Sequence, residues 1–306
     1  MSKRQKALAA IIACVLFWGF SFISIKITVA VFPPMSLGML RFAMALVFLC
    51  FIKLRLAPDE KLKARDIPML FAAGLTGVTL YFFCENNGVS LVSASEASIA
   101  IGSIPVLSMI TQWLGRKIIR GEKNGNEGHE TGARQWSGAL ISITGVWMVA
   151  GVSFAVSGSI RGYVYMAGAA VSWVAYSFLT RTLFSRCSRI YIVFWQTAAG
   201  FLCFIPFSVT ELAQWGKPDL PVLLHLSFLG ICCSALGYWF YAQALENLGV
   251  SVCAVFINMI PVVTVIAGFF TLGDRLSPLQ WLGAVLVVSG VYLSMWERKK
   301  SGRSVP

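Results

Sequence analysis

Charged residues are scarce in this sequence. Only 12% of the 306 residues are Asp, Glu, Lys or Arg, whereas 57% are hydrophobic. Charged residues make up about a quarter of an ordinary soluble chain, so this composition leaves too little polar surface for a soluble protein of this size. The composition therefore predicts that a lipid bilayer surrounds much of the chain.

Motifs for nucleotide binding, metal binding and nucleophilic catalysis are also missing. The sequence contains no G-x-x-x-x-G-K-[ST] loop, all four aspartates lie outside the apolar segments, and the two histidines, His129 and His225, accompany no recognisable nucleophile motif. The eight cysteines lie mostly in apolar segments without the spacing of metal ligands. We therefore predict a protein that is neither an ATP-driven pump nor an enzyme, with no cofactor, metal or disulfide.

Ten apolar runs follow one another along the chain. A helix rises 1.5 Å per residue and the hydrocarbon layer is about 30 Å thick, so a run of about 20 residues can cross it. The runs extend over Ala7 to Ala30, Ser36 to Leu56, Ile67 to Asn87, Ser95 to Gly115, Trp136 to Phe154, Gly162 to Thr180, Tyr191 to Thr210, Val222 to Ala244, Val250 to Phe270 and Leu279 to Trp296. We predict an all-α integral membrane protein of ten transmembrane helices, the first of which is retained because it is too long for a signal peptide.

Basic residues are distributed unevenly between the predicted loops. The net charge of +12 would suggest nucleic-acid binding in a soluble protein. Twenty of the 25 Lys and Arg lie at the two termini and in alternate loops, while the opposite loops contain only Arg161, Lys217 and Arg275. By the positive-inside rule, this pattern predicts a multi-pass protein of the cytoplasmic (inner) membrane with both termini in the cytoplasm and no nucleic-acid partner.

The two halves of the chain resemble each other in sequence. Gln135 to Met148 reads QWSGALISITGVWM and matches Gln280 to Leu293, QWLGAVLVVSGVYL, at six of fourteen positions. Shorter matches pair residues 103–106 with 259–262, 81–83 with 238–240, and 18 with 173. Because each repeat holds five helices, an odd number, the second copy is inverted in the membrane. We predict repeats at residues 1–155, with helices 1 to 5, and 156–306, with helices 6 to 10.

Several short motifs identify a family resemblance over nearly the whole chain. They are Trp18-Gly19, Leu40-Arg41-Phe42, Ser93 to Ala97 leading to Pro105-Val106, Gly249 to Pro261, and Gly273-Asp274-Arg275-Leu276 followed by Gln280. With these motifs the chain resembles ten-helix carriers of the drug/metabolite transporter superfamily, specifically EamA-like carriers with two EamA domains. The first-half copy of the last motif, Gly115-Arg116-Lys117-Ile118, departs from the pattern.

The resemblance implies secondary active transport of small metabolites, driven by gradients and not by ATP. Export of amino acids or related compounds by alternating access is the leading interpretation. A drug, sugar or nucleoside carrier of the same fold, a channel and a non-transporting membrane scaffold are the alternatives. The expected partners are a small-molecule substrate and the lipid bilayer, with the proton as candidate coupling ion and the monomer as candidate state.

Prolines interrupt two predicted helices at equivalent places, Pro105 in helix 4 and Pro261 in helix 9. A proline inside a helix removes one hydrogen bond and frees the carbonyl four residues earlier, here that of Ile101 or Ile257. We expect these carbonyls to border a substrate cavity. A kink satisfied by neighbouring groups is the structural alternative.

The candidate substrate cavity combines the proline breaks with nearby polar and aromatic residues. Aromatic rings can hold an apolar side chain or a cation, although ordinary helix packing explains many of them. The candidates are Trp18, Tyr81, Ser103, Pro105, Trp173, Tyr238, Trp239, Tyr241, Asn258 and Pro261.

Charged side chains inside apolar spans are costly and are therefore candidates for gating or coupling. Those toward the external ends of helices 1 to 4 are Lys26, Arg41, Glu85 and Glu96, which we predict to form an outer gate. The inner candidates are Arg181, Gln196 and Glu246. Snorkelling is the alternative for Lys26 and Arg41, and capping from Ser93 is the alternative for Glu96. Glu85 and Glu246 are the candidate proton sites.

Overall fold

The computed structural model describes residues 2–91, 101–119, 133–149, 160–272 and 277–295. Within these ranges the regular structure is helical and no strand occurs. The predicted all-α fold class is therefore confirmed. The boundary predicted between residues 155 and 156 lies outside the described residues and stays a prediction.

Thirteen α-helices, two π-helical segments and two short 3₁₀ turns, Ala64–Asp66 and Leu212–Gln214, form the described part of the fold. The helices are α1 (Lys3–Val29), α2 (Pro34–Leu56), α3 (Ile67–Gly74), α4 (Tyr81–Leu91), α5 (Ile104–Ile119), α6 (Ala133–Val149), α7 (Ile160–Leu183), α8 (Arg189–Glu211), α9 (Leu220–Ser227), α10 (Gly237–Leu248), α11 (Val250–Ile257), α12 (Met259–Leu272) and α13 (Pro278–Met295). The π segments are Leu75–Leu80, which joins α3 to α4, and Phe228–Leu236, which joins α9 to α10.

Each predicted span overlaps at least one of these helices. Five described helical stretches are long and apolar enough to cross a membrane: Lys3–Val29, Pro34–Leu56, Ala64–Gly88, Arg189–Gln214 and Leu220–Leu248. Shorter apolar helices cover Ile104–Leu114, Val250–Thr264 and Pro278–Ser294. The chain is therefore a multi-pass membrane protein, and the total of ten crossings stays a prediction.

Local sequence signals set several helix ends. Ser2 starts α1 with a capping box, in which its hydroxyl accepts from the Gln5 backbone N–H and the Gln5 side chain accepts from the Ser2 backbone N–H. Asp219 caps α9 by accepting from the Val222 backbone N–H at 3.0 Å. Gly249 stands between α10 and α11 with φ of 86°, a conformation that side chains with a Cβ rarely adopt.

Contacts between helices recur in a symmetric pattern. Helix α1 packs on α10, and α4 packs on α7; in addition α2 packs on α8, and α6 packs on α13. Under the sequence repeat, α1, α2, α4 and α6 correspond to α7, α8, α10 and α13. Exchanging the halves converts the contact of α1 with α10 into the contact of α7 with α4. It leaves the contacts of α2 with α8 and of α6 with α13 unchanged. The packing thus supports the proposal of two equivalent halves.

Two close backbone approaches repeat the same symmetry at single residues. A Cβ at Gly74, the last residue of α3, would overlap the backbone oxygen of Gln196 on α8. A Cβ at Gly230 would lie 3.0 Å from the backbone oxygen of Arg41 on α2. Carried along the chain, the pairing of residue 18 with 173 matches Arg41 with Gln196, so the two glycines contact helices that correspond in the proposed repeat. Any side chain at either glycine would push these helices apart.

Two carboxylates hold the ends of α2 and α8. Glu211, the last residue of α8, accepts hydrogen bonds from the Ser36 backbone N–H at 2.7 Å and from the Ser36 hydroxyl at 2.8 Å. Glu60 accepts from the Ser188 backbone N–H at 3.0 Å and from the Ser188 hydroxyl. Each carboxylate thus satisfies N–H groups that the start of a helix leaves unpaired. We call these two contacts the end clasps; they lie at opposite ends of the α2–α8 pair.

Candidate substrate cavity

The two π segments bring backbone carbonyls into contact with aromatic side chains. The Gly77 carbonyl accepts a 2.6 Å hydrogen bond from the Tyr238 hydroxyl, and the Cys233 carbonyl accepts a 3.0 Å bond from the Trp18 indole N–H. Gly77 and Cys233 lie in the first and the second π segment, respectively. Such π segments interrupt the regular bonding of an α-helix and often occur at functional sites. Sequence reasoning missed both segments, because an apolar run has the same pattern whether its helix is α or π.

A small cavity of about 50 Å³ lies between helices of both halves. Four predicted aromatic residues line it: Trp18, Tyr81, Trp173 and Tyr238. Trp173 is the centre of the group, since its ring centroid lies 5.2 Å from that of Trp18, 5.0 Å from that of Tyr81 and 5.9 Å from that of Tyr238. These contacts give the cavity a continuous aromatic wall.

Two predicted aromatic residues lie off this wall. Tyr241 packs behind it, with its ring centroid 5.5 Å from that of Trp18 and its hydroxyl hydrogen-bonded to Ser177 at 2.9 Å. Trp239 is half-buried and stacks on Phe240 instead. Tyr241 therefore supports the wall, while the structure does not bring Trp239 to the cavity.

The cavity wall includes a buried cation, Arg41. Its residue is only 3% exposed although α2 starts seven residues earlier, which places Arg41 about 10 Å inside the helix end. Its Nε donates to the Ser234 hydroxyl at 2.8 Å, and its guanidinium carbon lies 4.4 Å from the Phe82 ring centroid. Snorkelling to the surface is therefore excluded for this side chain.

The same wall includes a buried carboxylate, Glu85 on α4. It is 6% exposed and accepts a 2.8 Å hydrogen bond from the Tyr81 hydroxyl one turn earlier. Among the described residues, no ion pair joins Glu85 to Arg41 or either of them to another charged group. The cavity therefore has one positive and one negative side chain on its wall without direct contact between them.

Helix breaks border the cavity in both halves. The helix pauses at Ser103 before α5 and at Asn258 between α11 and α12, two or three residues before the prolines. Ile101 and Ile257, whose carbonyls the prolines free, line the cavity together with Ile104 and Ile260.

The other residues predicted at these breaks lie away from the wall. Pro105 and Pro261 are buried, and Ser103 is half-buried, without being lining residues. Asn258 is buried, and its side-chain N–H donates to the Ser142 hydroxyl at 3.0 Å. The breaks therefore shape the cavity through the isoleucines beside them.

The inner gate candidates are separated in the structure. Gln196 is buried between helices, where it donates to the Tyr176 hydroxyl at 3.0 Å and accepts from Thr180 at 3.2 Å. Arg181 packs over Gly249, and Glu246 forms a partly exposed ion pair with Arg189 at 2.8 Å. The structure thus places Glu246 outside the cavity, in contrast to Glu85.

The remaining outer gate candidates cannot be placed beside Arg41 and Glu85. The side chain of Lys26 and the whole of Glu96 lie outside the described residues. Of the four outer charges, the structure therefore brings together Arg41 and Glu85, and it does so at the cavity.

Asp66 organises a polar cluster between α3 and α8. It is buried, and its Oδ1 lies 3.0 Å from Nε of Arg186. The Cys187 thiol donates to its Oδ2 at 3.7 Å. Burial and the nearby Asp66 charge raise the pKa of the Cys187 thiol, while Arg186 opposes them. This cluster joins the turn before α3 to the connection before α8, and none of its residues lines the cavity.

Comparison with known proteins identifies a transporter family. The profile of the EamA-like transporter family matches residues 5–120 and 160–296. An uncharacterized transporter of Archaeoglobus fulgidus is 28% identical, over 93% of this chain and 96% of its own. The probable terminal-alkyne amino-acid exporter of Streptantibioticus cattleyicolor is 26% identical, over 95% and 94%. The probable amino-acid metabolite efflux pump of Escherichia coli K12 is 24% identical, over 97% and 96%.

A solved crystal structure is similar to this fold. Its chain is 20% identical in sequence and superposes with a TM-score of 0.73, covering 95% of this chain and 97% of that chain. This likeness extends the agreement in fold to nearly the whole length of both proteins.

Proposed function

Because the chain belongs to the EamA-like transporter family, we propose that it is a secondary active transporter that exports amino acids or related compounds by alternating access. The observation that carries the proposal is the central cavity. Its wall combines Trp18, Arg41 and Glu85 from the first half with Trp173 and Tyr238 from the second. A site shared by two inverted halves can open to either side when the halves exchange conformations.

The cavity in this conformation is too small for an amino acid. About 50 Å³ is far below the roughly 300–1,000 Å³ of small-molecule sites and holds only a few water molecules. A substrate therefore enters only after the helices around the cavity move apart. Three contacts provide equivalent surfaces between the halves: α1 packs on α10, α7 packs on α4, and α2 packs on α8. The two halves can exchange conformations across these surfaces.

The names of two relatives support amino acids as the substrate class, since one is a probable terminal-alkyne amino-acid exporter and the other a probable amino-acid metabolite efflux pump. Proton coupling is part of the proposal, with Glu85 as its candidate because it is a buried carboxylate on the cavity wall. We place both termini in the cytoplasm and the protein in the inner membrane on the basis of its basic loops. A monomer is the candidate oligomeric state.

The test is uptake into everted membrane vesicles, in which export from the cell becomes accumulation in the vesicle. The panel includes labelled phenylalanine, threonine and cysteine, with and without an imposed pH gradient. Vesicles from cells that lack the protein are the control. We expect saturable accumulation that collapses when the gradient is removed.

Other outcomes separate the parts of the proposal. Saturable uptake that ignores the pH gradient would retain transport and refute proton coupling. Non-saturable flux would indicate a channel. If no amino acid accumulates while a sugar, nucleoside or cationic drug does, the substrate class is wrong and the carrier function stands.

A further inference from the structure

The charges on the cavity wall match those of one class of substrate. Arg41 and Glu85 are the two charged residues among those lining the cavity, and they lie on different helices, α2 and α4. Resting on the proposed function, we infer that the cavity binds an α-amino acid as a zwitterion. Arg41 binds the α-carboxylate, Glu85 binds the α-ammonium, and the aromatic wall holds an apolar or aromatic side chain.

Arg41 is positioned to bind a carboxylate. Its Nε is occupied by Ser234 and its plane lies near Phe82, which together fix the guanidinium. No described residue accepts a hydrogen bond from its two terminal nitrogens. Two such N–H groups form the paired hydrogen bonds with which arginine recognises a carboxylate.

Glu85 is positioned to bind an ammonium group. Its Oε1 accepts from the Tyr81 hydroxyl, and among the described residues no hydrogen bond reaches its Oε2. A carboxylate inside a membrane protein is costly without a partner of opposite charge. A substrate ammonium would supply that charge, with the carboxylate of the same molecule facing Arg41.

The remaining wall favours a large apolar side chain. Trp18, Trp173 and Tyr238 present rings, and isoleucines from the two helix breaks complete the surface. A third charge on the substrate, as in lysine or glutamate, would be buried here without a partner and would be rejected. Phenylalanine and leucine are therefore better matches than either charged amino acid.

Three related ligands separate the two charge contacts. Purified protein in lipid nanodiscs is titrated with L-phenylalanine, with phenethylamine, which lacks the carboxylate, and with 3-phenylpropionate, which lacks the ammonium. We expect wild type to bind phenylalanine about tenfold or more tightly than either analogue, because each lost charge contact weakens binding by that order.

Two neutral variants assign each contact to a residue. Arg41→Gln should lose the preference for phenylalanine over phenethylamine and keep its preference over 3-phenylpropionate. Glu85→Gln should show the reverse. Arg161→Gln, which removes an exposed arginine outside the cavity, is the matched control and should keep both preferences.

The outcomes distinguish the inference from the proposed function. If wild type binds phenylalanine no better than its analogues, the inference fails even when vesicle uptake shows amino-acid transport. Equal weakening of all three ligands by Arg41→Gln would also overturn it. The comparison of ligands on wild type needs no variant to fold. Arg41→Lys, which keeps the charge without the paired N–H groups, should retain part of the preference.

Discussion

In the proposed repeat, Arg41 and Gln196 occupy equivalent positions, yet their side chains make different contacts. Each is buried on a helix, α2 or α8, whose backbone at that position meets a glycine of the other half. Arg41 reaches the cavity, where it presents a charge. Gln196 bonds to Tyr176 and Thr180 away from the cavity. The backbone symmetry is therefore kept while the side-chain chemistry has diverged.

This difference indicates how an inverted repeat can hold an asymmetric substrate. The halves can exchange conformations only if their backbones are equivalent. The backbone contacts between the halves are therefore constrained by packing. A single charge at one of two equivalent positions lets the site bind a molecule with two unlike ends in one orientation. We expect substitutions on the charged side to affect transport and those on the neutral side to affect stability.

The largest effect should come from making the two positions alike. Arg41→Gln removes the positive charge from the cavity, and we expect amino-acid transport to fall on the order of 10- to 100-fold. Initial uptake rates in everted vesicles, normalised to the amount of protein in the membrane, measure the loss. Retention of wild-type rates by this variant would mean that Arg41 has a structural role alone.

The paired helix breaks are the next feature to alter. Pro105→Ala and Pro261→Ala each restore a backbone N–H and straighten a helix beside the cavity. We expect a several-fold loss of transport in both variants, with nearly normal insertion into the membrane. Expression and uptake are measured on the same vesicles. Normal transport by both at equal expression would contradict a role for the breaks in the transport cycle.

Gln196→Leu tests the neutral side of the comparison. It removes the side-chain amide that bonds to the Tyr176 hydroxyl and to Thr180, which should cost about 1–3 kcal/mol of stability. Thermal unfolding in detergent should show a lower Tm, while the substrate preference of the surviving protein stays unchanged. A changed preference for phenylalanine over phenethylamine would show that the position acts on the cavity after all.

The end clasps should respond equally if the halves are equivalent. Glu60→Ala and Glu211→Ala each remove a cap from the start of α8 or α2, and each should cost about 1 kcal/mol. Matched thermal unfolding curves compare them. A much larger loss for one variant would show that the two clasps differ in importance.

The smallest expected effect concerns the connection before α8. Because the pKa of Cys187 is raised by burial and by Asp66, its thiolate is rarer at neutral pH than that of an ordinary cysteine. In a variant with Cys187 as its only cysteine, maleimide labelling should be slow at pH 7 and rise as pH increases. Asp66→Asn should lower the pKa and speed labelling several-fold. Labelling from the cytoplasmic side alone would also support the proposed topology.

Much of the fold could be predicted because membrane helices are long and apolar. The runs located each helical region, and the repeat paired Trp18 with Trp173, which the structure brings together at the cavity. The sequence did not predict that Arg41 and Glu85 line the same cavity. It placed both toward the external ends of their helices, as parts of a predicted outer gate. That they line one cavity depends on how the helices are rotated, which the order of residues leaves open.

The sequence by itself determined a helical multi-pass membrane protein with a repeated plan, since hydrophobic length and basic loops depend only on residue order. Only the tertiary structure decided which candidates meet. It placed the π segments where Gly77 and Cys233 accept aromatic donors, brought Arg41 and Glu85 to the same cavity, and set Glu246 in a surface ion pair. These outcomes depend on the rotation and crossing of packed helices, which side-chain contacts between distant segments fix.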